Sequence, residues 1–380
     1  MKKVGIITIL KVNNYGAELQ AFALHRKLQT LGVENEVIDY LYYKHPDYKF
    51  EREAAPMVPI SLKNRIKGKL LKIYERTAKY GNFNSAKRRE ERFAAFHAKN
   101  TKLSSTYKSI SALYNAKHPY DVFVVGSDQV WNPITQVSLK PYFLTFAPKD
   151  KKKISYASSF GVSQIAESDK IVYRDCLNNL DVLSCREKQG VNIIKELTAR
   201  EATHVLDPTL LLSAEEWSKV AVPVKDQRPY ILMYVLTHSP YITKLALHLS
   251  ELTGYRIVRL CKSPMKEDRG SVIENITDAG PAEYLGYFQN ASFVLTNSFH
   301  GTVFSIINKK PFYIIAPAKK TNNSRQRGLL ELVDLENRLI NEGAEFPAKE
   351  NLAVDFTMPH EVLEKEKEKS IQYLLSAINN

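Results

Sequence analysis

Cysteine is nearly missing from this chain. Its 380 residues include three, Cys176, Cys185 and Cys261, with no CxxC pair among them. That leaves no disulfide framework to read and no thiolate zinc site, and it suits a reducing, cytoplasmic setting. Long apolar runs are missing as well: none approaches the ~20 residues that a membrane helix needs. The opening MKKVGIITIL has a basic start and an apolar middle, but no small-residue cleavage site follows it. It is read as a first buried strand rather than a signal peptide. The nine histidines show neither HxxxH nor His/Cys spacing, so no metal site is expected. Also lacking are a GxGxxG or GxxxxGK phosphate loop, a nucleic-acid-binding motif, an internal repeat and a low-complexity tract.

What is present describes an ordinary globular protein. The chain is 44% hydrophobic and 25% charged, and its length favours two domains of roughly 150–200 residues. Its 21 tyrosines fit polar ligand clefts and packed cores alike. The net charge of +13 is unevenly spread, since residues 61–108 hold 14 Lys and Arg against Glu75, Glu90 and Glu91. Within that segment Leu62, Ile66, Leu70 and Ile73 share one helical face, and a second basic helix is expected over 84–98 with Phe93 and Phe96 as anchors. Such a segment is a solvated face, a nucleic-acid surface, or a contact for an anionic membrane surface or a lipid diphosphate. With no nucleic-acid motif present, the last reading is preferred.

The pattern along the chain is α/β. A buried strand over 4–9, a turn over 13–16, a helix over 17–31 and a strand over 36–39 open a parallel sheet. Strands are expected again over 121–131, 153–161, 181–187 and 203–212, with helices near 167–180 and 188–198. A polar, proline-punctuated stretch over 213–229 reads as a linker. A second series follows: strands over 230–236, 255–260, 292–296 and 312–315 alternate with helices over 240–252, 281–289 and 301–308, and a charged helix over about 359–378 closes the chain. The expected architecture is two Rossmann-like α/β halves with a cleft between them. Residues 1–212 form the N-terminal domain with the basic helical insertion, 230–350 the C-terminal domain, and 351–380 a helix packing back across both.

Ligands of open α/β sheets gather at the carboxyl ends of the strands. That rule selects Asn14, Tyr15 and Gly16; Ser127, Asp128 and Gln129; Ser159; Arg186 with Glu187; and Ser298 through Gly301. His300 is either a general acid/base or anion ligand, or a helix-start histidine satisfied by the backbone. Arg186 is either a bidentate anion ligand or half of a surface pair with Glu187. Arg325 and Arg327 open a helix, where they clamp an anion or are simply solvated. Asp128 accepts a proton, holds a sugar hydroxyl or caps a turn. Trp131 stacks on a sugar or fills the core.

Several stretches, spread in order over residues 4–315, together resemble the polysaccharide pyruvyl transferase family: GIITILKVNNYGAELQAFAL, VVGSDQVWNP, SYASSFG, LSCREKQG, LDPTLLL and LTNSFHGTVFSIINKKPFYII. The resemblance implies a two-domain fold of the GT-B glycosyltransferase type, and transfer of the enolpyruvyl unit of phosphoenolpyruvate to a sugar of a lipid-linked cell-surface glycan precursor, leaving a pyruvate ketal. By it, His300 is the catalytic acid/base and Arg186 a phosphoenolpyruvate ligand; the strand-end residues fill out the expected site, with Asp128 as the second catalytic group. Phosphoenolpyruvate falls to Arg186, Ser298, Gly301, Arg325 and Arg327. The acceptor sugar falls to Asn14, Tyr15, Gly16, Ser127, Gln129, Trp131 and Ser159. Many members carry an arginine two residues before this histidine, where this chain has Ser298; Arg325 or Arg327 is expected to replace that charge. No cofactor or metal is expected beyond the donor substrate. The expected partners are phosphoenolpyruvate, a glycan or polyprenyl-diphosphate-linked acceptor and, through residues 61–108, the inner face of the cytoplasmic membrane. The competing readings are a nucleotide-sugar glycosyltransferase and a non-catalytic glycan-binding protein on the same fold.

Overall fold

The computed structural model describes residues 2–51, 83–133, 139–265, 272–316 and 324–380. The chain folds as two compact units. One comprises Met1–Lys69, His97–Leu212 and Lys365–Asn380; the other comprises Leu70–Phe96 and Ser213–Glu364.

In the first unit, β1 (Val4–Ile7), β2 (Asn35–Val37), β3 (Val122–Val125) and β4 (Lys152–Ser155) form a parallel sheet in the order β2-β1-β3-β4. Runs such as VGII and VFVV are apolar throughout because both faces of this sheet are covered. Alternate residues divide accordingly. Val4, Ile6, Val122, Val124 and Ile154 join one core cluster, while Ile7, Phe123 and Val125 join the other. The Tyr15–Thr30 helix, buried along most of its length, follows β1 and is capped by the Asn14 side chain, which accepts from the Ala17 N–H. Bridges from Ile154 to Val182 and from Ser158 to Cys185 carry the sheet on to β5 (Ser184–Cys185), which pairs with β6 (Thr203–His204). The end of the Thr357–Asn379 helix supplies Leu374 and Ile378 to the same core as Val4 and Ile6. The strand order reverses between β1 and β3, which opens a crevice at their carboxyl ends.

In the second unit, β7 (Tyr230–Tyr234), β8 (Arg256–Leu260), β9 (Ile273–Ile276), β10 (Phe293–Thr296), β11 (Phe312–Ala316) and β12 (Leu339–Asn341) form a parallel sheet in the order β12-β11-β10-β7-β8-β9. This is the doubly wound arrangement, with its reversal between β7 and β10. The Pro240–Thr253 and Pro281–Asn290 helices each start on a proline, whose missing donor costs nothing in the first turn.

Two expectations from the sequence need correction. Residues 213–229 are not a passive linker. Ser213 forms a capping box on the Ala214–Ser218 helix, Trp217 is fully buried with its ring edge-on to Phe304 at 5.1 Å, and the Val222 N–H donates to the Ala282 carbonyl at 2.9 Å. The basic segment is not simply an insertion of the first unit either. The helix expected around Leu62 to Ile73 lies outside the described residues. In the Phe83–Asn100 helix, Arg88 meets Asp278 at 3.0 Å and Arg92 meets Glu283 at 3.3 Å, so residues up to Phe96 group with the second unit. Carboxylates on that unit attract arginines that the sequence left unpaired. Phe93 and Phe96 are buried anchors.

Candidate active site

At the strand ends of the first unit the backbone is strained. Lys11 (φ 56) and Asn13 (φ 52) follow β1, Asp128 (φ 71) follows β3 and Ala157 (φ 55) follows β4, all left-handed without being glycine. Each such residue costs on the order of 1–3 kcal/mol, and such strain gathers where function fixes the geometry. Thr8 Oγ donates to the Ser127 carbonyl at 2.8 Å and so ties the β1 and β3 ends together across the reversal.

Beneath these ends lies a cluster of one guanidinium and three carboxylates. Arg186 Nη1 donates to Asp207 Oδ2 at 2.7 Å, with Glu187 at 3.9 Å and Asp128 at 4.0 Å from other guanidinium nitrogens. Burial works against the charge of Arg186, but the three carboxylates outweigh it and hold its pKa above the ordinary range. Asp207 also accepts from Ser127 Oγ (2.9 Å), from the Thr209 N–H (3.0 Å) and from Thr209 Oγ1 (2.6 Å). Glu187 accepts from Ser159 Oγ (2.8 Å) and from the Phe160 N–H (3.2 Å). Only Asp128 opens toward solvent, its side chain 17% exposed against 0% for Asp207 and 6% for Glu187. The cluster therefore presents one carboxylate on a buried, hydrogen-bonded base in which carboxylates outnumber the guanidinium.

At the reversal of the second unit, the Phe299–Ile307 helix starts directly after β10. Ser298 caps it, its hydroxyl accepting from the Gly301 N–H at 3.4 Å. Gly301 is forced by packing: a Cβ there would stand 2.2 Å from Thr296 Oγ1. That hydroxyl is itself fixed, donating to the Tyr234 carbonyl on β7 at 2.6 Å and accepting from the Ser298 N–H at 3.0 Å. Asn297 binds the facing loop twice, accepting from the Leu236 N–H (2.7 Å) and donating to the Thr237 carbonyl (2.6 Å). His300 is thus a 7% exposed imidazole in the first turn of a helix whose position is set on both sides. Gln326 Nε2 donates to the Asn297 carbonyl at 3.3 Å and brings the Ser324–Leu332 helix to this loop, with half-buried Arg325 and exposed Arg327 on either side of Gln326.

Several expected site residues stand elsewhere. Trp131 is fully buried, stacked on Phe143 at 5.3 Å, with its indole N–H donating to the Tyr142 carbonyl; it is a core residue, not a sugar platform. Ser127 and Ser159 are also fully buried, and their hydroxyls serve Asp207 and Glu187, so neither faces an acceptor. Tyr15 is buried in the helix start and Gly16 beside it, while Asn14 is exposed and acts as the cap. Gln129 Oε1 accepts from Asn132 at 2.5 Å and lies where a Cβ on Gly161 (φ 63) would come within 2.3 Å, so its side chain braces the two loops. Arg186 is neither an open anion ligand nor a surface pair with Glu187. Its side chain is 2% exposed and its direct partner is Asp207, because burial of a guanidinium demands a close carboxylate.

Other residues escaped the sequence reading. Lys11 meets Asp39 at 2.6 Å at the end of β1, and Asp39 also accepts from Thr106 Oγ1. Glu18, fully buried, accepts from the Val12 N–H at 3.0 Å and pairs with His97. Asp207 lay inside LDPTLLL, where the proline after an aspartate was the readable signal of a cap. Lys11, by contrast, looked like any strand-end lysine.

Solved structures share this architecture over essentially the whole chain. Arabidopsis thaliana UGT89C1 complexed with UDP-L-rhamnose is 10% identical, with a TM-score of 0.54 over 99% of both chains. S. aureus MnaA with UDP is 13% identical, with a TM-score of 0.51 over 100% of this chain and 98% of that one. Identities this low establish the fold alone, which is the GT-B type. A search of curated proteins finds no match. The family model for polysaccharide pyruvyl transferase matches residues 14–319, a span that runs from the Asn14 cap through the Asp128 and Arg186 cluster to His300. The strand-end loops of both units therefore fall within one family's pattern, and the chain belongs to the polysaccharide pyruvyl transferase family.

Proposed function

We propose that this protein transfers the enolpyruvyl group of phosphoenolpyruvate to a sugar of a lipid-linked cell-surface polysaccharide precursor and closes it as a ketal. The observation that carries the reading is His300: a titratable ring in the first turn of a helix, at the strand reversal of a doubly wound sheet, with its backbone fixed through Gly301, Thr296 and Asn297. A helix N-terminus favours an anion, and an imidazole moves protons near neutral pH.

In the proposed reaction His300 gives a proton to the methylene carbon of phosphoenolpyruvate, and C2 becomes electrophilic. An acceptor hydroxyl adds to C2 and gives its proton to a base. The C2–O bond to phosphate then breaks, phosphate leaving with the electron pair. A neighbouring hydroxyl forms the second C–O bond, and its proton returns to the imidazole. Asp128, the open carboxylate of the first unit, is suited to hold the attacking hydroxyl and take its proton. Arg325 or Arg327 supplies cationic charge beside the Ser298 loop, where many relatives have an arginine. Arg186 acts through Asp128, as a positioning residue. The reaction asks for no cofactor beyond the donor. In the described basic helix Arg88 and Arg92 pair with Asp278 and Glu283, which leaves those two arginines less suited to an anionic membrane surface.

The test is to incubate the protein with phosphoenolpyruvate and a panel of lipid-linked glycans, following phosphate release and a matching mass gain on the glycan. His300→Ala should fold normally and lose at least about 100-fold in turnover. Full activity in that variant, or nucleotide release from a sugar nucleotide in place of phosphate release, refutes the reading.

A further inference from the structure

The Ser324–Leu332 helix buries Leu329, Leu330 and Gln326. The two leucines are ordinary core residues. Gln326 is the buried side chain of the first turn, only 7% exposed, and it is polar. Its Nε2 donates to the Asn297 carbonyl at 3.3 Å. That carbonyl lies one residue ahead of the Ser298 cap, and it is the Ser298 carbonyl that takes the first intrahelical bond, from the Thr302 N–H at 3.0 Å. The Asn297 carbonyl is therefore open to a side-chain donor.

This contact fixes the direction of the carboxamide. A carbonyl only accepts, so Gln326 turns its NH2 toward Asn297. Its Oε1 is left buried, with no hydrogen-bond partner among the described residues. Such an acceptor costs about 1–3 kcal/mol. A leucine, as at positions 329 and 330, would fill nearly the same volume without that cost. Packing does not account for a glutamine here, whereas its donor contact to Asn297 does. Asn297 is itself held from the other side: its side chain accepts from the Leu236 N–H at 2.7 Å and donates to the Thr237 carbonyl at 2.6 Å. Gln326 thus grips a point already tied to the loop after β7, three residues before His300.

Arg325 and Arg327 leave the helix on either side of this grip, since successive residues are turned by about 100°. Arg325 is half-buried and Arg327 exposed. A half-buried guanidinium is less screened by water, so Arg325 is the better placed of the two to attract an anion.

We propose that Gln326 is a positioning residue. Its carboxamide latches the amino end of the Ser324–Leu332 helix to the His300 turn, and through that latch Arg325 is held as the cation for the donor's phosphate. This rests on the pyruvyl-transfer reading in taking the phosphate to be that of phosphoenolpyruvate; the latch and its arginine serve a phosphoryl anion whatever carries it.

The test uses the full chain, with phosphoenolpyruvate and inorganic phosphate titrated separately and followed by their phosphorus signals. Gln326→Leu keeps the volume and removes the latch. It should weaken phosphoenolpyruvate binding about tenfold, and Arg325→Ala should weaken it at least as much. The double variant should lose no more than Arg325→Ala alone, because the latch acts through that arginine. In turnover, the loss in Gln326→Leu should fall on KM for phosphoenolpyruvate rather than on kcat. Should Gln326→Leu not fold, Gln326→Met carries the same expectations. Unchanged affinity in Gln326→Leu or Gln326→Met, binding that survives Arg325→Ala, additive losses in the double variant, a loss confined to kcat, or a wild type that binds neither anion overturns the assignment. A protein that binds inorganic phosphate in a Gln326-dependent way but ignores phosphoenolpyruvate supports the latch and counts against pyruvyl transfer.

Discussion

At the scale of single residues, the open Asp128 carboxylate of the first unit rests on side chains buried beneath it. Asp207 is fully buried and holds Arg186, Ser127 and Thr209 at once. Asp207→Ala removes the carboxylate hydrogen-bonded to a buried guanidinium and leaves it with Glu187 and Asp128 at 3.9 and 4.0 Å, and about 3–5 kcal/mol of stability should be lost, read as a lower urea midpoint. A loss below about 1 kcal/mol would show that Arg186 finds another partner. His300 was legible in the sequence because an apolar strand, a helix-start residue and a glycine stand together in one stretch. Its counterpart cluster was not. Arg186 and Asp207 are 21 residues apart, and Ser127 and Asp207 are 80 apart, and nothing local marks two such positions as partners. Sequence position placed Ser127, Ser159 and Trp131 at strand ends, where they are, but it could not give the direction of their side chains.

At the scale of elements, strands were the most legible because buried parallel strands are continuous apolar runs, and their carboxyl ends carry the candidate residues. The stretch over 213–229 misled because AVPVKDQRP is polar and proline-rich, whereas its structural content lies just before, in a capped turn of helix around one tryptophan. Trp217→Ala should therefore cost about 3–5 kcal/mol, as for a large core residue, and lower the melting temperature of the second unit. A change within about 0.5 kcal/mol would restore the linker reading. The arginines of the Phe83–Asn100 helix were read as a solvated or ligand-binding face because their carboxylate partners lie some 190 residues later in the chain.

At the scale of the whole molecule, three histidines set an acid limit on the first unit. His25, His118 and His204 are all held below the ordinary value of 6.5, in each case chiefly by burial, which disfavours the charged ring. In the unfolded chain they take up protons as the pH falls through about 6.5, while in the folded unit they resist until lower pH. The unfolded state then binds more protons, so stability is present above the unfolded value and is lost as the pH falls through the folded values. Calorimetry between about pH 7.5 and pH 5.5 should show the melting temperature of the first unit falling, by roughly 2–4 °C for each kcal/mol lost. A flat profile would mean that these rings accept protons without leaving their sites. The overall division into two α/β halves was legible from the two strand–helix series. The crossing of chain segments between halves was not, because it depends on contacts far apart in sequence.

The last of those crossings bears on how the protein is made. The first unit closes with residues 365–380: Ser370 Oγ accepts from the Leu206 N–H, Tyr373 donates to the Ser155 carbonyl, and Lys2 caps the carbonyls of Ile378 and Asn379. A nascent chain that has emerged only as far as Glu364 holds every segment of the second unit but lacks the piece that seals the first. The half translated first is therefore the half finished last, and until residues 365–380 are made its core around Val4, Ile6 and Val122 lacks Leu374, Ala377 and Ile378.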